Sequence, residues 1–183
     1  KGVKLLRDGL HQVQCSGASV HEHYELLFNL GIALAPQQPK EAMELYEKSL
    51  LLDLPIRVKL GSSLNLAALL YKQGHWKEAM IIASKVVHSA PEVSMGWYNL
   101  AIIQRHSGDV EKAFDSYSQA LNINPDYAEA YRNLALLKFQ QGDIIGARQD
   151  FKQAIRFFSK QKGKDYAKAF LNEINGLVKL DEN

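Results

Sequence analysis

The sequence is poor in cysteine and has no long apolar runs. Cys15 is the only cysteine among 183 residues, so no disulfide can form within the chain and the fold depends on its core alone. No stretch of about 18 apolar residues is present, which argues against membrane insertion within this chain. A single cysteine is compatible with a reducing compartment, and we expect a cytoplasmic location. Because the sequence begins at Lys1 rather than methionine, a targeting or anchor segment upstream is left open.

An overall excess of charge of one sign is also missing. The 22 basic and 20 acidic side chains leave a net charge of +2, so no global field favours a nucleic acid or a membrane surface as partner. One local exception lies near the C-terminus, where six basic residues face only Asp165: Lys152, Arg156, Lys160, Lys162, Lys164 and Lys168. We interpret this cluster as a solvated terminal face, with an acidic or anionic partner as the alternative.

Sequence motifs of enzymes are absent. There is no Gly-rich phosphate loop, no nucleophile elbow and no pair of carboxylates that the pattern would place in a pocket. One grouping looks like metal ligands, but its spacing fits no zinc motif, and we interpret it as solvated polar residues: His11, Cys15, His21 and His23. We therefore expect no catalytic residues, no cofactor and no metal.

What the sequence does contain is a repeat of about 34 residues. Asn99-Leu100-Ala101 recurs as Asn133-Leu134-Ala135, and Gly108-Asp109 recurs as Gly142-Asp143. A third copy upstream contains Asn65-Leu66-Ala67. The first copy, around Asn29-Leu30-Gly31, is divergent, because its inner turn is one residue shorter and contains prolines instead of glycine: Pro36 and Pro39.

Each copy has the pattern of a helical hairpin. Apolar residues recur at helical spacing in two segments, separated by a break that contains glycine or proline. Gly108 and Gly142 can adopt the positive φ that ends a helix, and Asp109 and Asp143 are suited to cap the next one. Helical spacing also extends beyond the repeats, with an apolar face on the C-terminal segment formed by Tyr166, Ala169, Phe170, Ile174, Leu177 and Val178.

This pattern resembles the tetratricopeptide repeat over about residues 22–159. The second helix supplies the small side chains of that family at Ala42, Ala79, Ala113 and Ala147, and its aromatic side chains at Tyr46, Tyr117 and Phe151. The departures from the family pattern are Ser63, Ala83, Val86 and Ser159. The resemblance implies an all-α fold, a right-handed superhelical array, or α-solenoid, of helix-turn-helix repeats.

We expect residues 1–183 to form a single domain of this kind. An N-terminal helix is predicted at 2–14 and a capping helix at 163–180, because the ends of such arrays need covering. Between them the predicted repeats are a divergent one at 22–55 and three further ones at 60–93, 94–127 and 128–161.

The resemblance further implies that the first helices of successive repeats line a concave groove. On this chain the predicted peptide-binding residues are Phe28, Asn29, Asn65, Tyr71, Tyr98, Asn99, Ile102, Arg105, Arg132, Asn133, Leu136 and Phe139. Asparagine amides can hydrogen-bond the backbone of any extended peptide, although Asn at this position can equally bond neighbouring helices. Arginines suit a carboxylate, and aromatic residues suit apolar side chains. The family's two-carboxylate clamp for chaperone tails is not matched.

Three functions remain open. The first is a scaffold or adaptor that binds an extended peptide segment or partner protein in its concave groove, with complex assembly as its setting. The second is the substrate-recruiting part of a larger enzyme, such as a glycosyltransferase. The third is self-association through an end of the array. All three predict a protein or peptide partner and no nucleic acid.

Overall fold

The computed structural model describes residues 2–16 and 19–178, and the side chains of residues 2–13 and 19–176. Over these residues every regular element is a helix, which confirms the predicted all-α fold. The ten helices are α1 (Gly2–Ser16), α2 (Val20–Leu34), α3 (Pro39–Leu51), α4 (Leu60–Lys72), α5 (Trp76–Ser89), α6 (Ser94–His106), α7 (Val110–Ile123), α8 (Ala128–Gln140), α9 (Ile144–Lys162) and α10 (Lys164–Val178).

The helices belong to two compact units, the first ending at Pro91 and the second beginning at Glu92. In the first unit α1 packs on α2, and two hairpins follow, α2 with α3 and α4 with α5. In the second unit the hairpins are α6 with α7 and α8 with α9, and α10 packs on α9. Each unit is thus an array of successive helix pairs, whereas the single-domain organisation stays a prediction.

Glycines with positive φ end the first helix of three hairpins. Gly74, Gly108 and Gly142 have φ between 83° and 87°, a region that residues with a Cβ rarely adopt. In each case the following N–H bonds the carbonyl five residues earlier, as from Asp143 to Lys138 at 3.0 Å, so the last carbonyls of the helix are satisfied. The turn chemistry predicted for Gly108 and Gly142 is confirmed, and Gly74 ends α4 in the same way.

The prediction that aspartates cap the second helices is right at one position and wrong at the other. Asp143 accepts a hydrogen bond from the Gly146 N–H at 2.9 Å, which satisfies a free donor in the first turn of α9. Asp109 makes no such side-chain bond. Its carboxylate instead lies 3.3 Å from Lys112 Nζ, so a nearby cation competes with the backbone donors for it.

Small residues lie at the contact between the two helices of each hairpin, and in three of the four hairpins an aromatic ring of the second helix packs beside them. Ala42, Ala79, Ala113 and Ala147 are all fully buried, as are the aromatic rings of Tyr46, Tyr117 and Phe151. At Gly31 a Cβ would come within 2.6 Å of Tyr46 Cε1, so only glycine permits that approach. The small and aromatic positions predicted from the sequence therefore form the core.

One pair of positions inside the hairpins changes its chemistry from repeat to repeat. In the α4–α5 hairpin the pair is apolar, Leu70 and Ile82. In the next hairpin the equivalent Ser116 Oγ donates a buried hydrogen bond to Gln104 Oε1 at 2.7 Å. In the last, Lys138 Nζ lies 2.6 Å from Asp150 Oδ2. The same backbone arrangement therefore accommodates an apolar pair, a hydrogen bond or an ion pair at these two positions.

The last helix packs on α9 through a face that differs slightly from the predicted one. Ala167, Phe170 and Ile174 are buried, and the Phe170 ring lies 5.2 Å from that of Phe158. Ala169 is exposed; its inclusion in the apolar face was wrong because the buried stripe runs through positions three and four residues apart from Ala167. Of the remaining predicted residues, the side chains of Leu177 and Val178 and all of residues 179–180 lie outside the described range.

Replacing Lys138 by methionine is expected to destabilise the second unit by about 1–3 kcal/mol, because it leaves the buried Asp150 carboxylate without its cation. Burial raises the pKa of Asp150 above its usual value even though Lys138 opposes this, so without Lys138 the pKa rises further. A group whose pKa is raised on folding favours the folded state when protonated, and the loss should therefore shrink as the pH is lowered. Urea unfolding at several pH values measures this.

The matched control replaces both residues, Lys138→Leu with Asp150→Ile, and so introduces the pair that the α4–α5 hairpin already carries. Because neither charge is then left buried, the stability should return to within about 1 kcal/mol of the original. A double variant that is no more stable than Lys138→Met would show that the cost does not come from the unpaired carboxylate.

Candidate peptide-binding surface

The predicted groove residues divide between the two units. The first unit contains Phe28, Asn29, Asn65 and Tyr71. The second contains Tyr98, Asn99, Ile102, Arg105, Arg132, Asn133, Leu136 and Phe139. All lie on the first helices of their hairpins, α2 and α4 in the first unit and α6 and α8 in the second.

In the first unit Asn65 is tied to a tyrosine. Its Nδ2 donates to Tyr46 Oη at 3.2 Å, so the half-buried amide links α4 to the second helix of the preceding hairpin. Burial raises the pKa of Tyr46, and the bond from Asn65 lowers it in part. This asparagine therefore has a structural role, and only its remaining donor and acceptor are left for a ligand.

Beside this pair lies a shallow pocket of about 230 Å³. Its lining is mainly apolar, with one amide and one ammonium group; it includes Ile32, Pro36, Asn65, Ala68, Leu69 and Lys72. Ile32 is 46% exposed, which is unusual for a residue of its size and leaves apolar surface open at the pocket rim. The pocket is suited to one aliphatic side chain.

Phe28 packs inside the first unit. Its ring stacks on Tyr24 with centroids 5.8 Å apart, and it lies so close to α4 that a Cβ on Gly61 would come within 2.8 Å of it. The neighbouring Asn29 is exposed and Tyr71 is half-buried. Phe28 therefore joins α2 to α4, and Asn29 is the more accessible of the two predicted contacts.

In the second unit a tyrosine and an asparagine again form a pair. Asn133 Nδ2 donates to Tyr98 Oη at 3.1 Å, and this bond joins α8 to α6. Asn133 is only 7% exposed, whereas Asn99 is half-buried. The Tyr98 ring also lies 4.9 Å from that of Tyr127. The Tyr98 side chain is thus held both by the hydrogen bond from Asn133 and by the ring of Tyr127.

Two arginines act electrostatically on this pair. Burial raises the pKa of Tyr98, and the positive charges of Arg132 and Arg105 oppose this, while Glu129 adds to it. Burial also raises the pKa of Tyr127, with Glu129 contributing. Over residues 19–176 neither guanidinium has a carboxylate within ion-pair distance. The two arginines therefore carry charge that the unit itself does not neutralise.

Three other predicted residues are largely part of the core. Ile102 packs against the buried cluster around Tyr117. Leu136 and Phe139 pack against the cluster around Phe151 and Phe158. All three remain partly accessible, so each presents an apolar edge and not a whole side chain.

Sequence reasoning left open that the asparagines bond neighbouring helices, but it did not identify tyrosines as their partners. Tyr98 precedes Asn99 by one position, and its partner Asn133 is the equivalent asparagine of the next repeat. A tyrosine next to a repeated asparagine was therefore the available signal. It was ambiguous, because Tyr46 reaches Asn65 from a second helix instead.

Within residues 2–16 and 19–178 no three His, Cys, Asp or Glu residues are grouped as ligands would be. Of the four residues considered from the sequence, Cys15 has a side chain outside the described set. None of the helices described combines the length and apolarity that crossing a bilayer requires.

Comparisons with known proteins agree with this architecture. Residues 103–142 match a family model described as TPR repeat, and residues 128–158 match one described as Tetratricopeptide repeat. No curated protein sequence matches the chain.

Solved structures resemble the chain at low sequence identity. A crystal structure of MamA is 20% identical over 86% of this chain and 88% of that one, with a TM-score of 0.69. MamA from residue 41 to its end, from Desulfovibrio magneticus RS-1, is 20% identical over 87% and 96%, with a TM-score of 0.64. A tetratricopeptide repeat protein from Parabacteroides merdae ATCC 43184 is 23% identical over 84% and 60%, with a TM-score of 0.63. At these identities the likeness shows the fold alone.

Asn133→Ala is expected to lower the free energy of unfolding by about 0.5–1.5 kcal/mol, because the hydrogen bond to Tyr98 is lost. Asn122→Ala on the exposed face of α7 is the matched control, since it makes the same change in helix propensity without removing a hydrogen bond to Tyr98. In a double-mutant cycle Tyr98→Phe and Asn133→Ala should be non-additive by a similar amount. Additive effects in urea unfolding would contradict a stabilising bond between the two side chains.

Proposed function

This chain is a tetratricopeptide repeat protein, and we propose that it is an adaptor that binds an extended, acidic segment of a partner protein on the α6–α8 face of its second unit. Tetratricopeptide repeats are in general protein-interaction scaffolds, which supports a protein partner. The observation on which the proposal rests is the pair Arg105 and Arg132, two cations close to the Tyr98–Asn133 bond with no carboxylate of their own unit within ion-pair distance.

The chemistry of this face suits a carboxylate. A guanidinium presents two parallel N–H donors that match the two oxygens of a carboxylate. Tyr98 and Asn133 hold each other in place, so the surface between the arginines is ordered before a ligand arrives and little entropy is lost on binding. An acidic side chain of the ligand would sit between the two cations.

The length of the bound segment follows from the two hairpins. Each helix pair advances the array by about 10 Å, and an extended strand advances about 3.3 Å per residue. The face of two hairpins therefore accommodates about six residues. The apolar edges of Ile102, Leu136 and Phe139 are suited to the aliphatic side chains that flank the acidic one.

The four asparagines that the resemblance places in the groove have a smaller part in this proposal. Asn65 and Asn133 already donate to tyrosine hydroxyls, which leaves Asn29 and Asn99 as the asparagines with more accessible amides. We therefore assign the main share of affinity to the arginines, at about 1.5–3 kcal/mol for each charge-assisted hydrogen bond.

Replacing Arg105 and Arg132 together by glutamine should weaken binding of an acidic partner by at least about tenfold, since two charge-assisted bonds are lost. The measurement is affinity capture from cell extract with the original and the variant protein, followed by fluorescence anisotropy with peptides from the captured protein. The double variant Lys40→Gln with Lys77→Gln carries the same charge change at two exposed lysines of the first unit and is the control. If the two variants capture the same proteins equally well, the α6–α8 face is not the binding surface.

A further inference from the structure

Helix α9 carries a strong excess of positive charge. Between Ile144 and Lys162 it has five basic residues and a single acidic one, Asp150. That carboxylate is directed toward α8, where Lys138 Nζ lies 2.6 Å from it. It therefore cannot balance the cations on the opposite side of the helix.

Three of these cations, Lys152, Arg156 and Lys160, form what we call the basic stripe. They are spaced four residues apart and all are exposed, so they lie along one side of α9 at steps of about 6 Å. The buried residues of the helix, among them Phe151, lie on the other side. Throughout the described residues none of the three has a carboxylate at ion-pair distance.

One aromatic ring, that of Phe157, contacts two of the stripe cations. Arg156 Cζ lies 5.6 Å and Lys160 Nζ 5.5 Å from the centroid of the Phe157 ring. That ring is itself fixed, because it is 6% exposed and stacks on Tyr131 at 5.6 Å. Like charges repel, so bringing two of them to one ring leaves a site that a negative group would stabilise.

The preceding hairpins show that this backbone does not require basic residues at these positions. Thirty-four residues before Lys152 and Arg156 the chain has Ser118 and Asn122 on α7. A favourable interaction with the helix dipole accounts for cations in the last turn, such as Lys160. It does not account for Lys152 and Arg156, which lie further from the end.

We propose that the basic stripe docks an acidic α-helix of a partner protein, whose carboxylates are four residues apart. Such a helix presents its carboxylates at the same steps of about 6 Å as the cations. Each carboxylate then pairs with one cation of the stripe. This surface is on α9, whereas the proposed peptide surface is on α6 and α8, so the two are independent.

A nucleic acid fits the stripe less well than an acidic helix. Sites for single-stranded nucleic acid use exposed aromatic rings on which bases stack, but Phe157 is buried beneath the cations. At the end of the stripe Lys162 is already bound to Glu129 at 2.6 Å, so a negative charge lies where the backbone of a longer polyanion would continue.

The test uses the full chain and a labelled helical peptide of alanine and glutamate with glutamates at positions i, i+4 and i+8, measured by fluorescence anisotropy. The stripe variant is Lys152→Ser, Arg156→Asn and Lys160→Gln, of which the first two restore the residues of the preceding hairpin. The control is Lys40→Ser, Lys48→Asn and Lys77→Gln, three exposed lysines of the first unit. Both triple variants lower the net charge by three.

The stripe variant should bind the peptide about tenfold more weakly, because exposed ion pairs are individually weak but three are lost. The control should lose less than twofold, and raising the salt concentration should reduce the difference between the two variants. Equal losses in both variants would overturn the proposal, as would equally tight binding of a peptide with glutamine in place of glutamate.

Three further measurements separate this occupant from others. Tighter binding of a labelled oligouridylate than of the acidic peptide at about 150 mM salt would assign the stripe to nucleic acid and overturn the proposal. Binding to vesicles that contain anionic lipid, if only the stripe variant loses it, would also overturn the proposal. Self-association measured by sedimentation, if only the stripe variant loses it, would assign the stripe to a second copy of this chain and would likewise overturn the proposal. Circular dichroism checks that both triple variants keep their helices.

Discussion

The close approach of two helices at a small side chain is the contact on which the rest of this structure depends. In every hairpin an alanine of the second helix is fully buried, and in three of the four hairpins an aromatic ring of that helix fills the space beside it. A larger side chain at these alanines would separate the helices, at a cost of about 1–3 kcal/mol. Because this contact recurs about every 34 residues, the same hairpin forms again and again.

Once that contact fixes the backbone, other positions are free to change. The pair at Leu70 and Ile82 becomes a buried hydrogen bond one repeat later and an ion pair in the last hairpin. The exposed positions of the second helices change as well, from Ser118 on α7 to Lys152 on α9. What the repeats share holds the fold, and both proposed binding surfaces lie at positions where the repeats differ.

The near-neutral composition conceals a separation of charge within the second unit. Glu129 and Asp150 are bound to lysines, whereas Arg105, Arg132 and the basic stripe have no such carboxylate in the described structure. Two positively charged surfaces result, one on the first helices of the hairpins and one on the last second helix. In our proposals the first binds an extended acidic segment, and the second binds an acidic helix whose carboxylates match the four-residue spacing of the stripe cations.

The sequence by itself determined the all-α fold, the hairpins, the glycine turns and the buried alanine and aromatic positions. It could do so because these features depend on residue size and on contacts that repeat at a fixed interval. Only the tertiary structure decided which polar side chains are already engaged. Asn133 of α8 donates a hydrogen bond to Tyr98 of α6, and the Phe28 ring packs against Gly61 of α4. On α10 it is Ala167, and not Ala169, that is buried against α9. Such outcomes depend on side-chain direction and on distances between helices, and neither is encoded in the spacing of residues along the chain.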